Sequence, residues 1–152
     1  GSYGRDMKGI LRMHQFDKLE MFSFAKPEDS VKENDFLLLM QEEIMQGLKL
    51  PYRVVHICTG DMGFAASNQY DVETWIPSEG KYRETHSCSN DTDFQSRRLG
   101  IKYKNSETGK NEFVHTLNGT AFAVGRIIIA IMENYQEKDG TIKIPAILEK
   151  YL

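Results

Sequence analysis

Twelve residues in the last third of the chain constrain its fold most. Ala121 to Met132 reads AFAVGRIIIAIM, apolar except for one glycine and one arginine. The run follows Asn118-Gly119-Thr120 and closes near Glu133-Asn134-Tyr135. It predicts a helix buried on most sides, capped at its start by small polar residues. Arg126 falls in the middle of that apolar stretch. A guanidinium does not give up its proton and is costly to leave buried and unpaired. Arg126 therefore calls for an anion, either a carboxylate of the protein or the phosphate of a ligand.

The rest of the composition narrows the class. The 152 residues suit one domain, and 40% hydrophobic with 27% charged residues is ordinary globular composition. No apolar run approaches the roughly 18 residues a membrane span needs, and no signal peptide is visible. Cys58 and Cys88 lack CxxC spacing, which argues against a disulfide framework or a zinc site and for a reducing compartment. A net charge of −3 gives no general affinity for nucleic acid. Gly1 to Gly9 is loop-like and an odd opening for a domain.

Alternation and punctuation predict the other elements. Ile10–Phe16 and Leu19–Phe24 read as one long strand or two consecutive ones. Pro27-Glu28-Asp29 starts a helix that runs to about Leu48, with Gly47 weakening its end. Its stripe is Val31, Phe36, Leu37, Leu38, Met40, Ile44, Met45 and Leu48, opposite Lys32, Glu33, Glu42 and Glu43. Strands follow at Tyr52–Cys58, Gln69–Ile76 and Lys81–Ser89, separated by turns at Thr59–Gly63 and Pro77–Gly80. Asp91–Leu99 reads as a short helix carrying Arg97-Arg98, then come strands at Ile101–Lys104 and Glu112–Leu117. Thr141–Pro145 reads as extended, and Ala146–Leu152 as a terminal helix. Many strands joined by short turns, with two long helices apart, indicate α+β with a mostly antiparallel sheet. Neither GxGxxG nor GxxxxGK[ST] occurs.

Several stretches together resemble one family. Gly9 to Glu20 (GILRMHQFDKLE) resembles the second half of motif 2 of class II aminoacyl-tRNA synthetases, and Leu117 to Arg126 (LNGTAFAVGR) resembles their motif 3. Cys58–Phe64, Tyr82–Asn90 and Asp93–Arg98 are similar to the seryl-tRNA synthetases in particular. The resemblance covers essentially the whole chain, in order. It implies a class II catalytic core, an antiparallel sheet flanked by helices, and the C-terminal part of the catalytic domain beginning inside the motif 2 loop. The N-terminal helical hairpin, motif 1 and the Arg-x-Glu strand would then lie upstream. It further implies a cytoplasmic serine–tRNA ligase that uses ATP and Mg²⁺, acts on serine and tRNA(Ser), and is a homodimer when full length. The chain alone is expected to have little or no aminoacylation activity. Two rivals are a non-catalytic paralogue and a ligase that loads a small amino acid onto a carrier protein. The zinc-dependent archaeal branch is disfavoured, because the pocket offers no tetrahedral Cys/His set.

By resemblance, Arg126 meets the ATP phosphates; otherwise it snorkels or pairs with an internal acid. Arg12 matches a loop-end arginine near the phosphates, against an exposed strand charge. Arg126 and Arg12 are thus the catalytic candidates. Met13 and Phe16 match positions that hold adenine, against plain core residues. Glu84, Thr85, His86 and Ser87 fall in the ATP-binding stretch, with Glu84 and Ser87 as the Mg²⁺ ligands, against a solvated acid and a strand serine. Residues three apart point to opposite faces of a flat strand, so that pair needs a bulge near Thr85-His86. His86 departs from the small residue the family pattern has there and faces away. Glu20 would be a buried carboxylate reading serine, with Asn118 and Thr120 lining the same pocket. Arg97 and Arg98 read better as a solvated face against the acidic helix than as a nucleic-acid contact. Arg5 and Lys8 could approach the tRNA acceptor end.

Overall fold

The computed structural model describes residues 9–152. Arg5 and Lys8 lie outside the described residues. A five-stranded antiparallel sheet has the order β1-β7-β4-β3-β2, where β1 is Lys18–Ala25, β2 Tyr52–His56, β3 Asn68–Ile76, β4 Lys81–Asn90 and β7 His115–Ala123. A small ribbon pairs β5 (Lys102–Lys104) with β6 (Asn111–Phe113). The helices are α1 (Ser30–Gly47), α2 (Phe94–Leu99) and α3 (Val124–Asn134). This is the expected mostly antiparallel α+β core.

Both long helices cover one face of the sheet. Leu37, Met45 and Leu48 of α1 and its C-terminal edge, with Ile127 and Ala130 of α3, are buried along with Val72, Ile76, Cys88 and Leu117 of the strands. Gly47 does more than weaken a helix end: a Cβ there would lie 2.7 Å from Ile147 Cδ1, so the missing side chain lets the terminal 3₁₀ helix, Ala146–Tyr151, pack against α1.

The expected α1 appears nearly as read, led in by a 3₁₀ turn at Pro27–Asp29. Its buried face differs. Ser30, Asn34, Leu37, Gln41 and Met45 are buried, while Val31 and Phe36 are exposed. Spacings of three and four select that line, and the sheet beneath it offers polar partners to Asn34 and Gln41.

Four expectations are corrected. Ile10–Phe16 forms turns and bends instead of a strand: the segment starts at Gly9 in a left-handed conformation (φ +61°), and its residues have no ladder partner among those described. Glu112–Leu117 is not one strand, because Val114 separates β6 in the ribbon from β7 in the main sheet. Asn118, Gly119 and Thr120 are not a helix cap. They lie inside β7, and α3 begins at Val124 without a side-chain cap. Residues Gly119, Thr120 and Ala121 of β7 are buried one after another instead of alternating, so they read as an extension of the apolar helix. Finally, α3 is not enveloped: Ile127 and Ala130 are buried, whereas Ile128 and Met132 are exposed. No described helix is long and apolar enough to cross a membrane.

Candidate active site

The site grows from a fork in the sheet. β4 and β7 pair only over Cys88–Asn90 and Leu117–Gly119. Beyond Cys88 and Gly119 the ladder stops, and two bulges follow. In the β3–β4 register, Val72 faces His86 and Glu73 faces Glu84, so Thr85 is an extra residue. In the β1–β7 register, Leu19 faces Phe122 and Glu20 faces Thr120, so Ala121 is extra. Bulges at such positions re-aim side chains.

The first bulge has the consequence required of it. Asp71 and Glu73 are two apart on β3 and share a face; Ser87 and Glu84 are their cross-strand partners. Glu84 and Ser87 therefore share the sheet face away from the helices. Thr85 and His86 turn the other way. The Thr85 hydroxyl donates to the Val72 carbonyl and is 2.7 Å from the Thr74 hydroxyl, and His86 Nδ1 lies 2.9 Å from the Thr85 hydroxyl. Both side chains are buried, so for a ligand on the Glu84 face only their backbone is available. That removes the Thr85 and His86 side chains from the expected nucleotide contacts. Burial pushes the His86 pKa down to about 4. Cys88, two residues further along the strand, is likewise buried, and its thiol is pushed up to about 12, which leaves it unreactive.

Arg126 rises from the first turn of α3 to meet this face. Its Nη1 donates to the Glu84 carbonyl at 2.7 Å and lies 3.4 Å from Glu84 Oε2, while Nε donates to the Leu11 carbonyl at 3.4 Å. The anion beside Arg126 is thus the Glu84 carboxylate. That ion pair is partly exposed, so its contribution to stability is small. Two small adjoining clefts open here, of about 90 and 70 Å³. Ile10, Met13, Phe16 and Gly125 line the first, Arg83 and Glu84 the second, and Leu11, Arg12 and Arg126 both. Met13 and Phe16 are about half exposed, which rules out the plain core reading. A larger groove of about 580 Å³ lies beyond the same loop, between Ile76, Ile129 and Met132, and touches none of the expected site residues.

Glu20, Asn118 and Thr120 meet across β1 and β7. Glu20 is directly opposite Thr120, and Asn118 opposite Phe22. Asn118 is also the partner of Ser89, two residues from Ser87, so the group shares the face that holds Glu84. Glu20 is not buried as expected. It stands exposed on the edge strand, 3.9 Å from Lys18 Nζ. Arg97 pairs with Asp93 at 3.3 Å, and Arg98 stacks 4.7 Å above Phe94, so both serve α2 itself instead of packing against α1.

Two residues were missed at the sequence level. Gln41 of α1 is fully buried and reaches the fork from behind, its Nε2 donating to the Ser87 carbonyl at 2.8 Å and the Thr120 carbonyl at 2.9 Å. Gly119 makes room: a Cβ there would be 3.2 Å from Gln41 Nε2. Asp91, just past β4, is buried and accepts from Asn118 Nδ2 at 3.2 Å. A glutamine on the apolar line of a helix was the only available signal for the first; nothing in the sequence marked the second.

The family model for the tRNA synthetase class II core domain (G, H, P, S and T) matches residues 2–135. The serine–tRNA ligases of a Sulfurihydrogenibium species and of Nostoc punctiforme are 59% and 55% identical over all 152 residues, which correspond to 36% of each relative. The chain thus spans about a third of the length of the curated relatives it matches. Seryl-tRNA synthetase from Pyrococcus horikoshii, solved with ATP, superposes with a TM-score of 0.94 at 50% identity, covering 98% of this chain and 33% of that one. The cytoplasmic serine–tRNA ligase of Naegleria fowleri, solved with AMP, gives 0.88 at 41% identity, covering 97% and 35%.

Proposed function

The chain belongs to the class II tRNA synthetase core-domain family, and we propose that it carries the nucleotide- and serine-binding face of a serine–tRNA ligase. The observation that supports this best is the convergence of Arg12, Met13, Phe16, Glu84 and Arg126 on two adjoining clefts. Glu20, Asn118 and Thr120 follow on the same face of the sheet. The relatives' names and the ATP and AMP in the related structures agree with it.

In this reading Phe16 and Met13 hold adenine by stacking and by shape. Arg126 exchanges the Leu11 carbonyl and Glu84 for phosphate oxygens, and Arg12 adds a second positive charge. The serine carboxylate attacks the α-phosphorus, a phosphorus–oxygen bond forms, and pyrophosphate leaves. Fixed guanidinium groups stabilise the negative charge gathering on the phosphates. In the second step the tRNA 3′ hydroxyl attacks the seryl carbonyl and AMP departs. Glu84 and Ser87 fit Mg²⁺, because a carboxylate and a hydroxyl brought to one face supply two hard oxygen donors, and phosphates and waters supply the rest. When bound, the ion draws charge from the phosphate oxygens. Glu20, Asn118 and Thr120 take the serine side chain and ammonium. A site whose polar groups bond the hydroxyl rejects alanine, which would leave them unpaired. A cytoplasmic, homodimeric parent completes the reading.

Thermal unfolding with sulfamoyl analogues of seryl- and alanyl-adenylate tests it. A compound at about 100 times its Kd adds roughly 2.7 kcal/mol if it binds only the folded chain. The seryl analogue should raise the midpoint and the alanyl analogue should not. A shift with neither overturns the reading.

A further inference from the structure

Asn118 can present either end of its amide to the site, and its neighbour decides which. Asp91 is 3% exposed and is locked in place by its backbone: its N–H donates to the Thr116 carbonyl at 3.0 Å, and its carbonyl accepts from Phe94 N–H at 3.1 Å. One carboxylate oxygen, Oδ2, accepts from Asn118 Nδ2 at 3.2 Å. Burial raises the Asp91 pKa, and while ionised its carboxylate has no proton to give. Facing it, the amide must offer its NH₂, since the flipped amide would set an oxygen against an oxygen. Asn118 Oδ1 is thereby left as an acceptor on the far side of the amide.

We infer that Asp91 is a positioning residue for amino-acid selection. By fixing the Asn118 amide it makes that position an acceptor, selective for a ligand group that donates, the hydroxyl or ammonium of a small hydroxylated amino acid. The inference rests on the proposed function and extends it to a residue that touches no substrate. Asp91→Asn keeps an oxygen that can accept from Asn118 but adds an NH₂ that can donate to it, so it no longer dictates which way the Asn118 amide points. Asp91→Ala keeps none and frees the amide to rotate.

Calorimetric titration of the wild-type chain and both variants with the seryl and alanyl sulfamoyl analogues, and with ATP, tests it. Asp91→Ala should bind the seryl analogue about tenfold more weakly, a loss of about 1.4 kcal/mol. Its ATP affinity should be unchanged, and Asp91→Asn, which still packs but can face Asn118 with either end of its amide, should lose seryl affinity to an intermediate extent. Unchanged seryl affinity in Asp91→Ala overturns the inference, as does an equal loss for the seryl analogue and ATP, which would mark a purely structural role. Failure of the wild-type chain to bind either analogue refutes the proposed function instead. Should Asp91→Ala not fold, amide exchange in the wild type decides: the Asn118 NH₂ protons should exchange more slowly than those of an exposed asparagine, and free exchange overturns the inference.

Discussion

Replacing Gln41 by leucine should destabilise the chain and loosen its site together. Gln41 Nε2 donates to two carbonyls, Ser87 and Thr120, that lost their strand partners when β4 and β7 diverged. Leucine leaves both without a donor. An orphaned buried acceptor costs about 1–3 kcal/mol, so the pair costs about 2–6 kcal/mol. Part of this is offset, because Gln41 Oε1 is itself buried without a partner, and removing it returns about 1–3 kcal/mol. The net loss is about 1–3 kcal/mol, or about 2–12 °C in Tm for a domain of this size. Denaturant unfolding should show a lower midpoint at an unchanged slope. Gln41→Glu supplies a control of opposite chemistry. A carboxylate facing two carbonyls loses more at pH 7, but its folded pKa is raised, so the penalty fades as pH falls and the protonated acid can donate. The glutamate variant should therefore gain on wild type between about pH 7 and pH 5. A leucine variant within about 0.5 kcal/mol of wild type, or a glutamate variant without that pH trend, would show that Gln41 does not support the fork.

Acid should weaken the fold through His86. Its folded pKa of about 4 lies below the ordinary 6.5, so the unfolded chain takes up a proton that the folded one refuses. That contribution is complete above about pH 6.5 and is lost on descending toward pH 4, about 3 kcal/mol in all. His86→Gln should flatten this limb of the stability–pH profile, and an unchanged slope would exclude His86 as its source. In α3, Ile127→Ala should cost about 2–5 kcal/mol in urea unfolding, because the side chain is fully buried between helix and sheet. A loss below about 1 kcal/mol would mean that the helix seam is loosely packed.

Much of the frame was legible. Proline with two acids marked the start of α1, and alternation marked β3 and β4 to within a residue. The requirement that Glu84 and Ser87 share a face predicted a bulge, and the register has one. The junction of β7 and α3 was not legible, because the end of β7, buried residue after residue from Gly119 to Ala121, and an apolar helix present the same uninterrupted run. The loop from Gly9 to Phe16 was misread for a related reason: its exposed Met13 and Phe16 are apolar for the sake of a cleft, not of a ladder. Within the site, residues that belong to the motifs could be named, though not their exposure, as Glu20 shows. Gln41 and Asp91 act through neighbours 46 or more and 27 positions away, and no local pattern encodes such pairings.

Titration of ATP with Mg²⁺ into the wild-type chain and into Arg126→Ala bears most directly on the central claim, that the clefts beside α3 bind a nucleotide through this arginine. The wild type should bind, and the variant should bind at least about tenfold more weakly while its unfolding midpoint stays close to wild type, since the Arg126–Glu84 pair is partly exposed. Equal binding by the two proteins would contradict the claim.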